Sequence, residues 1–104
     1  MSDSYHSKLE NEETDALFQA ILSLKTCEEC YRFFEDLCTI PEIKSLSQRW
    51  MTACLLDKGK TYQEIAGSLA ASTATISRVN RCLSYGAGGY RLVIDRMAKE
   101  PDKE

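Results

Sequence analysis

The chain has 104 residues and a mass of 11.8 kDa, which is room for one domain. Hydrophobic residues make up 43%, charged residues 28%, and there are only 5 Gly and 2 Pro, so a folded domain is expected and collagen-like or disordered classes are excluded. No apolar run approaches the roughly 18 residues of a membrane span. The polar, acidic N-terminus does not resemble a signal peptide, so we expect a cytoplasmic protein.

The net charge of -3 conceals a strong asymmetry along the chain. Residues 1–43 carry 3 basic and 10 acidic side chains, whereas residues 44–99 carry 9 basic and 3 acidic ones. Charges act locally, so the second half can present a positive surface to phosphate although the whole chain is acidic.

Helix-start signals occur along the chain. A Thr followed three residues later by a Glu can satisfy two unpaired backbone N–H groups at a helix N-terminus. The three such pairs are Thr26 with Glu29, Thr39 with Glu42, and Thr61 with Glu64. Apolar residues recur at helical spacing between them, and strand alternation is nowhere sustained. The pattern predicts an all-α domain of about six helices over 11–99, with tails at 1–10 and 100–104.

So small a domain buries a limited core, and pairing with a second copy would cover more apolar surface. A homodimer is therefore expected.

The strongest functional signal is a helix-turn-helix pattern at about 61–83. Two short helices that cross steeply need apolar or small residues at the crossing. The sequence supplies them at Ile65, Ala66, Leu69, Ala71, Ile76 and Val79. Ala70 stands at the turn position where positive φ favours Gly, so a strained turn is expected there.

The second helix of this pattern, capped by Ser72, has a small, hydroxyl-rich and basic outward face. Short side chains let a helix approach base edges, and arginines neutralise phosphate or bind guanine. The predicted DNA-binding residues are Lys58, Lys60, Thr61, Gln63, Ser72, Thr73, Ala74, Ser77, Arg78 and Arg81. The alternative, a helix pair that only packs or docks a protein, stays open.

Residues 46–83 resemble the DNA-binding half of the Trp repressor, and residues 14–97 resemble the Trp repressor-like YerC/YecD family. The most specific matches are SQR at 47–49, GKTYQEIA at 59–66, TISR at 75–78 and CLSYGAGGY at 82–90. The resemblance implies an intertwined helical homodimer that places the 72–83 recognition helix in the major groove of operator DNA as a transcriptional repressor.

The resemblance also implies a site for a small effector, since Trp repressors hold an indole between two arginines. Arg49 and Arg78 match those arginines, and Thr75 matches a nearby hydroxyl residue. Val79 and Cys82 replace a Gly and a Ser, which makes the pocket smaller and less polar. Tryptophan or a related effector therefore remains one alternative. Phosphate contacts by both arginines, or an internal salt bridge by Arg49, are the others.

Other features favour structural roles. The five cysteines suit reduced thiols, and Cys27 with Cys30 are expected to pack within a helix rather than bind zinc, which needs further ligands. Trp50 is expected in the core, and 86–89 as a loop. No nucleophile beside a base is identified, so neither enzyme activity nor a metal site is expected.

Overall fold

Residues 5–99 are described by the structure, a computed structural model, and they contain six α-helices and no strand. The helices are α1 (Glu12–Leu22), α2 (Cys27–Leu37), α3 (Ile40–Asp57), α4 (Tyr62–Leu69), α5 (Thr73–Tyr85) and α6 (Gly89–Lys99). The all-α prediction is confirmed. Within this range no helix combines the length and hydrophobicity that a bilayer-spanning segment requires.

The predicted tails fall partly or wholly beyond this range. The C-terminal tail at 100–104 lies outside the described residues, as do residues 1–4 of the N-terminal tail. Residues 5–10 precede the first helix and contain a short turn, in which the Ser7 side-chain oxygen accepts from the Leu9 N–H at 2.9 Å.

The described residues divide into two compact units, 5–40 and 41–99. The first contains α1 and α2, each with a side-chain cap. Asn11 Oδ1 accepts the Thr14 N–H at 2.8 Å, and Thr26 Oγ1 accepts the Glu29 N–H at 3.1 Å. The capping pair predicted at Thr26 differs in one bond, because the Glu29 carboxylate accepts the Lys25 N–H at 2.8 Å.

Apolar side chains in α1 and α2 are left without a buried core. No side chain of residues 5–40 is buried. Phe33 and Phe34 of α2 contact each other edge to face, with 5.6 Å between ring centroids. Cys27 and Cys30 lie in the first turn of α2, within a helix as expected, and both thiols are exposed.

The second unit holds all the buried side chains of the described chain. They are Thr52, Ala53, Ile65, Ala71, Ile76 and Val79. Ile65 of α4 and Ile76 of α5 are fully buried and form the centre of a cluster with Ala71 in the intervening turn. Leu55 and Leu56 from α3 pack against it. The helix-turn-helix seam predicted from the sequence is thus the core of this unit.

The turn between α4 and α5 has the strain that the sequence predicts. Ala70 adopts φ 56° and ψ 31°, the left-handed conformation that costs an L-residue free energy. Two bonds support this end of α4. The Ala70 N–H donates to the Ala66 carbonyl at 3.0 Å, and the Gln48 side-chain amide of α3 donates to the Leu69 carbonyl at 3.2 Å.

Candidate nucleic-acid interface

The N-terminus of α4 is fixed by a complete capping box. Thr61 Oγ1 accepts the Glu64 N–H at 3.1 Å, and Glu64 Oε1 accepts the Thr61 N–H at 2.9 Å. This backbone hydrogen bond lowers the pKa of the Glu64 carboxyl, since it stabilises the ionised form. Before the box, Gly59 takes φ +86° in the turn that follows α3, and Lys58 and Lys60 flank it in the sequence.

A second cap sets the start of α5. Ser72 Oγ accepts the Thr75 N–H at 3.1 Å, and the Ser72 hydroxyl is also 3.1 Å from Thr75 Oγ1, to which it donates. Further along the helix, the Asn80 side-chain amide donates to the Tyr62 hydroxyl at 3.1 Å. The last bond ties α5 to the first turn of α4 and helps fix the angle between the two helices.

The face that α5 turns away from the core is accessible along its length. Ile76 and Val79 point inward and are buried, whereas Ser77, Arg78 and Arg81 between and after them are exposed. The ten predicted DNA-binding residues are all exposed: Lys58, Lys60, Thr61, Gln63, Ser72, Thr73, Ala74, Ser77, Arg78 and Arg81. The structure therefore leaves this whole set available to a ligand.

The basic side chains of this surface are not paired with carboxylates. Within residues 5–99, none of Lys58, Lys60, Arg78 and Arg81 forms an ion pair within 4.0 Å. The acidic side chains nearest in sequence are engaged elsewhere, since Asp57 pairs with Arg91 and Glu64 belongs to the capping box. A surface with four such cations and several hydroxyls can bind phosphate oxygens.

The predicted effector residues occupy different environments. Arg49 and Thr75 are half-buried, and Arg78 and Cys82 are exposed. Val79, by contrast, is only 2% exposed and its side chain belongs to the core. This position can therefore limit the space of an adjoining site but offers little side-chain surface to a ligand.

One aromatic contact in this unit involves a residue that the sequence analysis did not identify. Tyr90, in the first turn of α6, is half-buried and stacks on Trp50 of α3, with 6.4 Å between ring centroids and 24° between planes. Burial, followed by the nearby Cys82 thiol, raises the pKa of the Tyr90 phenol, while the charges of Arg49 and Arg78 act in the opposite direction. Trp50 was expected in the core and is half-buried under this ring.

The residue after Tyr90 anchors the same helix. Arg91 Nη2 lies 2.6 Å from Asp57 Oδ1 at the end of α3, and Arg91 Nη1 lies 3.0 Å from Asp95 Oδ1. These hydrogen bonds raise the pKa of Arg91. Sequence reasoning missed the two contacts between α6 and α3, Trp50 with Tyr90 and Asp57 with Arg91, because each joins residues more than 30 positions apart.

The loop predicted at 86–89 is one residue shorter, since Gly89 already belongs to α6. Gly88 has φ +88°, which favours Gly at this position. At Gly86 a Cβ atom would lie 2.5 Å from the Cys82 carbonyl oxygen, so that glycine is required by a close backbone approach.

Comparison with known proteins assigns the chain to a family. The family described as Trp repressor protein matches residues 12–98. YerC of Bacillus subtilis strain 168 is 57% identical over 97 residues, which are 93% of this chain and 92% of that protein.

Two solved structures are similar over nearly the whole fold. A TrpR-like protein from Eubacterium eligens has a TM-score of 0.85 at 54% identity and covers 91% of this chain and 98% of its own. A Staphylococcus aureus protein, solved as a candidate Trp repressor, has a TM-score of 0.84 at 50% identity and covers 91% and 95%. On the family match and these likenesses, the chain belongs to the Trp repressor family.

Proposed function

We propose that this protein is a homodimeric, sequence-specific DNA-binding regulator of transcription, acting in the cytoplasm as a repressor. The observation that carries the proposal is the exposed face of α5, which is small, hydroxyl-bearing and basic, on a helix held by a buried seam. The recognition helix, residues 72–83, would lie in the major groove, and Lys58 and Lys60 would bind the flanking phosphates.

The two ends of this face have different chemistry. Thr73, Ala74 and Ser77 are short, so the helix backbone can come close to base edges and direct or water-mediated reading is open to it. Arg78 and Arg81 reach further and carry charge, which suits phosphate oxygens or guanine. The N-terminal part of the helix would therefore carry most of the specificity and the arginines much of the affinity.

The dimer rests on the uncovered apolar side chains of the first unit. Phe18 is 53% exposed and Leu22 is 75% exposed on one face of α1, and Tyr31 and Leu37 of α2 are also exposed. A second copy would cover such surface. A two-fold dimer would also present two recognition helices to half-sites about one DNA turn, roughly 34 Å, apart, which predicts a palindromic operator.

The first experiment is selection of bound sequences from a randomised duplex pool, followed by fluorescence anisotropy over a salt series. We expect an enriched palindrome and an affinity that falls steeply with salt. Arg81→Ala and Lys60→Ala should weaken binding to all sequences, and each should reduce the slope of log affinity against log salt by roughly 0.9 for the phosphate contact removed.

Arg32→Ala is the matched control, because Arg32 is an exposed arginine in the acidic half, paired with Glu28 at 3.2 Å. It should leave both affinity and salt slope unchanged. No enrichment and no salt-sensitive affinity would reject DNA binding and favour the alternative, a helix-turn-helix that docks an acidic protein partner.

A further inference from the structure

We propose that Tyr85, the last residue of α5, donates its hydroxyl to a DNA phosphate and so extends the binding surface beyond the residues predicted for it. This contact rests on the proposed function and adds to it both a residue and a kind of bond. A phenol is an uncharged hydrogen-bond donor, whereas the contacts expected from the lysines and arginines of the surface are ionic.

Tyr85 lies on the face of α5 that is directed away from the core. The helix runs to Tyr85, two residues past the end of the recognition helix predicted at 72–83. Successive residues of an α-helix are separated by about 100°, so Tyr85 lies roughly 20° from Ala74 and roughly 40° from Arg81 around the axis. The buried Ile76 and Val79 lie on the opposite side. The exposed face that begins at the N-terminus of α5 therefore continues to its last residue.

The Tyr85 side chain is fixed at its base but unused within the chain. It is 87% exposed, the highest value among the large hydrophobic side chains of the described residues. Among residues 5–99 no group forms a hydrogen bond with its hydroxyl. The Gly86 N–H donates to the Cys82 carbonyl at 2.8 Å and so closes the last turn of α5, which holds Tyr85 in helical conformation. A tyrosine with a solvated ring and a free donor is suited to an interface.

The charges around Tyr85 favour an anion as its partner. Between Glu64 and Asp95 the chain has no acidic residue, so no carboxylate of α5 competes for the hydroxyl or repels phosphate. Arg81 is exposed one turn earlier, at the i,i+4 spacing that places two side chains next to each other. A guanidinium and a phenol placed in this way can donate to oxygens of the same phosphate or of adjacent ones.

The length of α5 favours the DNA backbone over a base as the acceptor. With a rise of about 1.5 Å per residue, Tyr85 lies roughly 16 Å along the axis from Ala74. The major groove is about 12 Å wide, so a helix whose first turn contacts base edges has its far end at the sugar-phosphate chain. Bases inside a duplex are stacked, which leaves the Tyr85 ring no free base face. The hydroxyl therefore meets a phosphate oxygen.

Tyr85→Phe removes the hydroxyl alone and keeps the ring. Fluorescence anisotropy with the selected operator should show affinity lower by roughly tenfold for each bond lost, as for a hydrogen bond to a charged acceptor. An uncharged donor displaces no counterion, so the slope of log affinity against log salt should stay that of the wild type, whereas Arg81→Ala should reduce it. An unrelated duplex should lose the same factor, since phosphate contacts carry no sequence information.

Operators in which single phosphates are replaced by methylphosphonates, which lack the negative charge, test the contact directly. At one phosphate of each half-site the replacement should weaken binding of the wild type more than binding of Tyr85→Phe, from which the hydrogen bond is already absent. Losses that are additive at every phosphate would overturn the proposed contact.

Tyr31→Phe is the matched control, because Tyr31 is 66% exposed on α2 in the acidic half, and it should leave DNA affinity unchanged. The urea midpoint of Tyr85→Phe should equal that of the wild type, since the hydroxyl bonds to nothing within residues 5–99.

The outcomes separate the contact from the function on which it rests. If the wild type binds DNA and Tyr85→Phe binds equally well, the Tyr85 contact alone is rejected. A loss confined to the operator would assign Tyr85 to a base and would also reject the phosphate contact. A wild type that binds no duplex would reject the proposed function, and the contact with it.

Discussion

The two units of the chain differ in how they use apolar side chains. Residues 41–99 bury Ile65, Ile76 and Val79 almost completely, whereas residues 5–40 bury no side chain, although α1 and α2 are equally regular helices. The second unit has a core of its own around the α4–α5 seam. The first has helices with caps but needs another surface to cover its apolar faces, as expected for the part of a chain that associates.

Charge changes at nearly the same place. Residues 1–43 have a net charge of -7 and residues 44–99 a net charge of +6. An acidic helix pair is repelled by DNA, and a basic helix-turn-helix is attracted to it. The proposed association and the proposed DNA binding therefore fall on different segments, which can be impaired separately.

The largest expected effect is on the core of the second unit. Ile76→Ala removes a fully buried side chain at the centre of the seam, so the free energy of unfolding should fall by about 2–5 kcal/mol, a large share of the total for a small domain. Ile76→Val is the matched control, at about 0.5–1.5 kcal/mol. Urea unfolding followed by circular dichroism measures both, and equal midpoints would show that the seam is not a core.

The second prediction concerns the first unit. In Phe18→Ala/Leu22→Ala, two exposed side chains of α1 are shortened, so the fold of one chain should change little while the proposed dimer weakens. Burial of each such side chain contributes about 1.5–3 kcal/mol, so the dimer dissociation constant should rise by at least roughly a hundredfold.

Sedimentation equilibrium measures this change, with Gln19→Ala as the control on the neighbouring exposed position of the same helix. A double variant that dimerises as tightly as the wild type would exclude this face from the interface.

The third prediction concerns the left-handed conformation of Ala70 in the turn between α4 and α5. Ala70→Gly relieves the left-handed strain of Ala70 but increases the freedom of the unfolded chain, so a net stabilisation of up to about 1 kcal/mol is expected. Ala74 lies within α5, so Ala74→Gly should instead lower the free energy of unfolding by about 0.5–1 kcal/mol. Thermal unfolding of the two variants should shift in opposite directions, and a shift in the same direction would contradict the strain at residue 70.

Local patterns in the sequence predicted most of the second unit because its organisation is local. The Thr61 box, the Ser72 cap and the left-handed turn at Ala70 each involve residues within a few positions, and such signals can be read without a structure. The missed contacts are between distant residues. Trp50 stacks on Tyr90 across 40 positions, and nothing in either neighbourhood indicates the other.

The first unit shows what local sequence patterns do not predict. Amphipathic spacing predicted its helices and the place of Cys27 and Cys30 within one of them, but not that both thiols are exposed. Periodicity identifies which side chains share a face and not what covers that face. The extra bond from the Lys25 N–H to Glu29 also depends on a loop conformation that the Thr-x-x-Glu pattern does not determine.

The smallest expected effect is the pH dependence of the Thr61 box. The pKa of Glu64 is lowered from its ordinary value of 4.5 because the carboxylate accepts the Thr61 N–H. A depressed carboxyl pKa stabilises the fold fully above the ordinary value, and this stabilisation is lost as pH falls through the folded-state pKa. Acid should therefore weaken the cap of α4 before it affects the buried seam.

Glu64→Gln isolates this contribution, because the glutamine oxygen can still accept the N–H but does not titrate. The difference in urea midpoint between wild type and Glu64→Gln should be constant near neutrality and shrink as pH falls below about 4.5. Glu35→Gln removes one carboxylate from the exposed surface of α2 and is the reference for loss of charge alone. A difference from Glu64→Gln that is the same at pH 7 and in acid would mean that the bond to Thr61, although well formed, does not stabilise the ionised carboxylate.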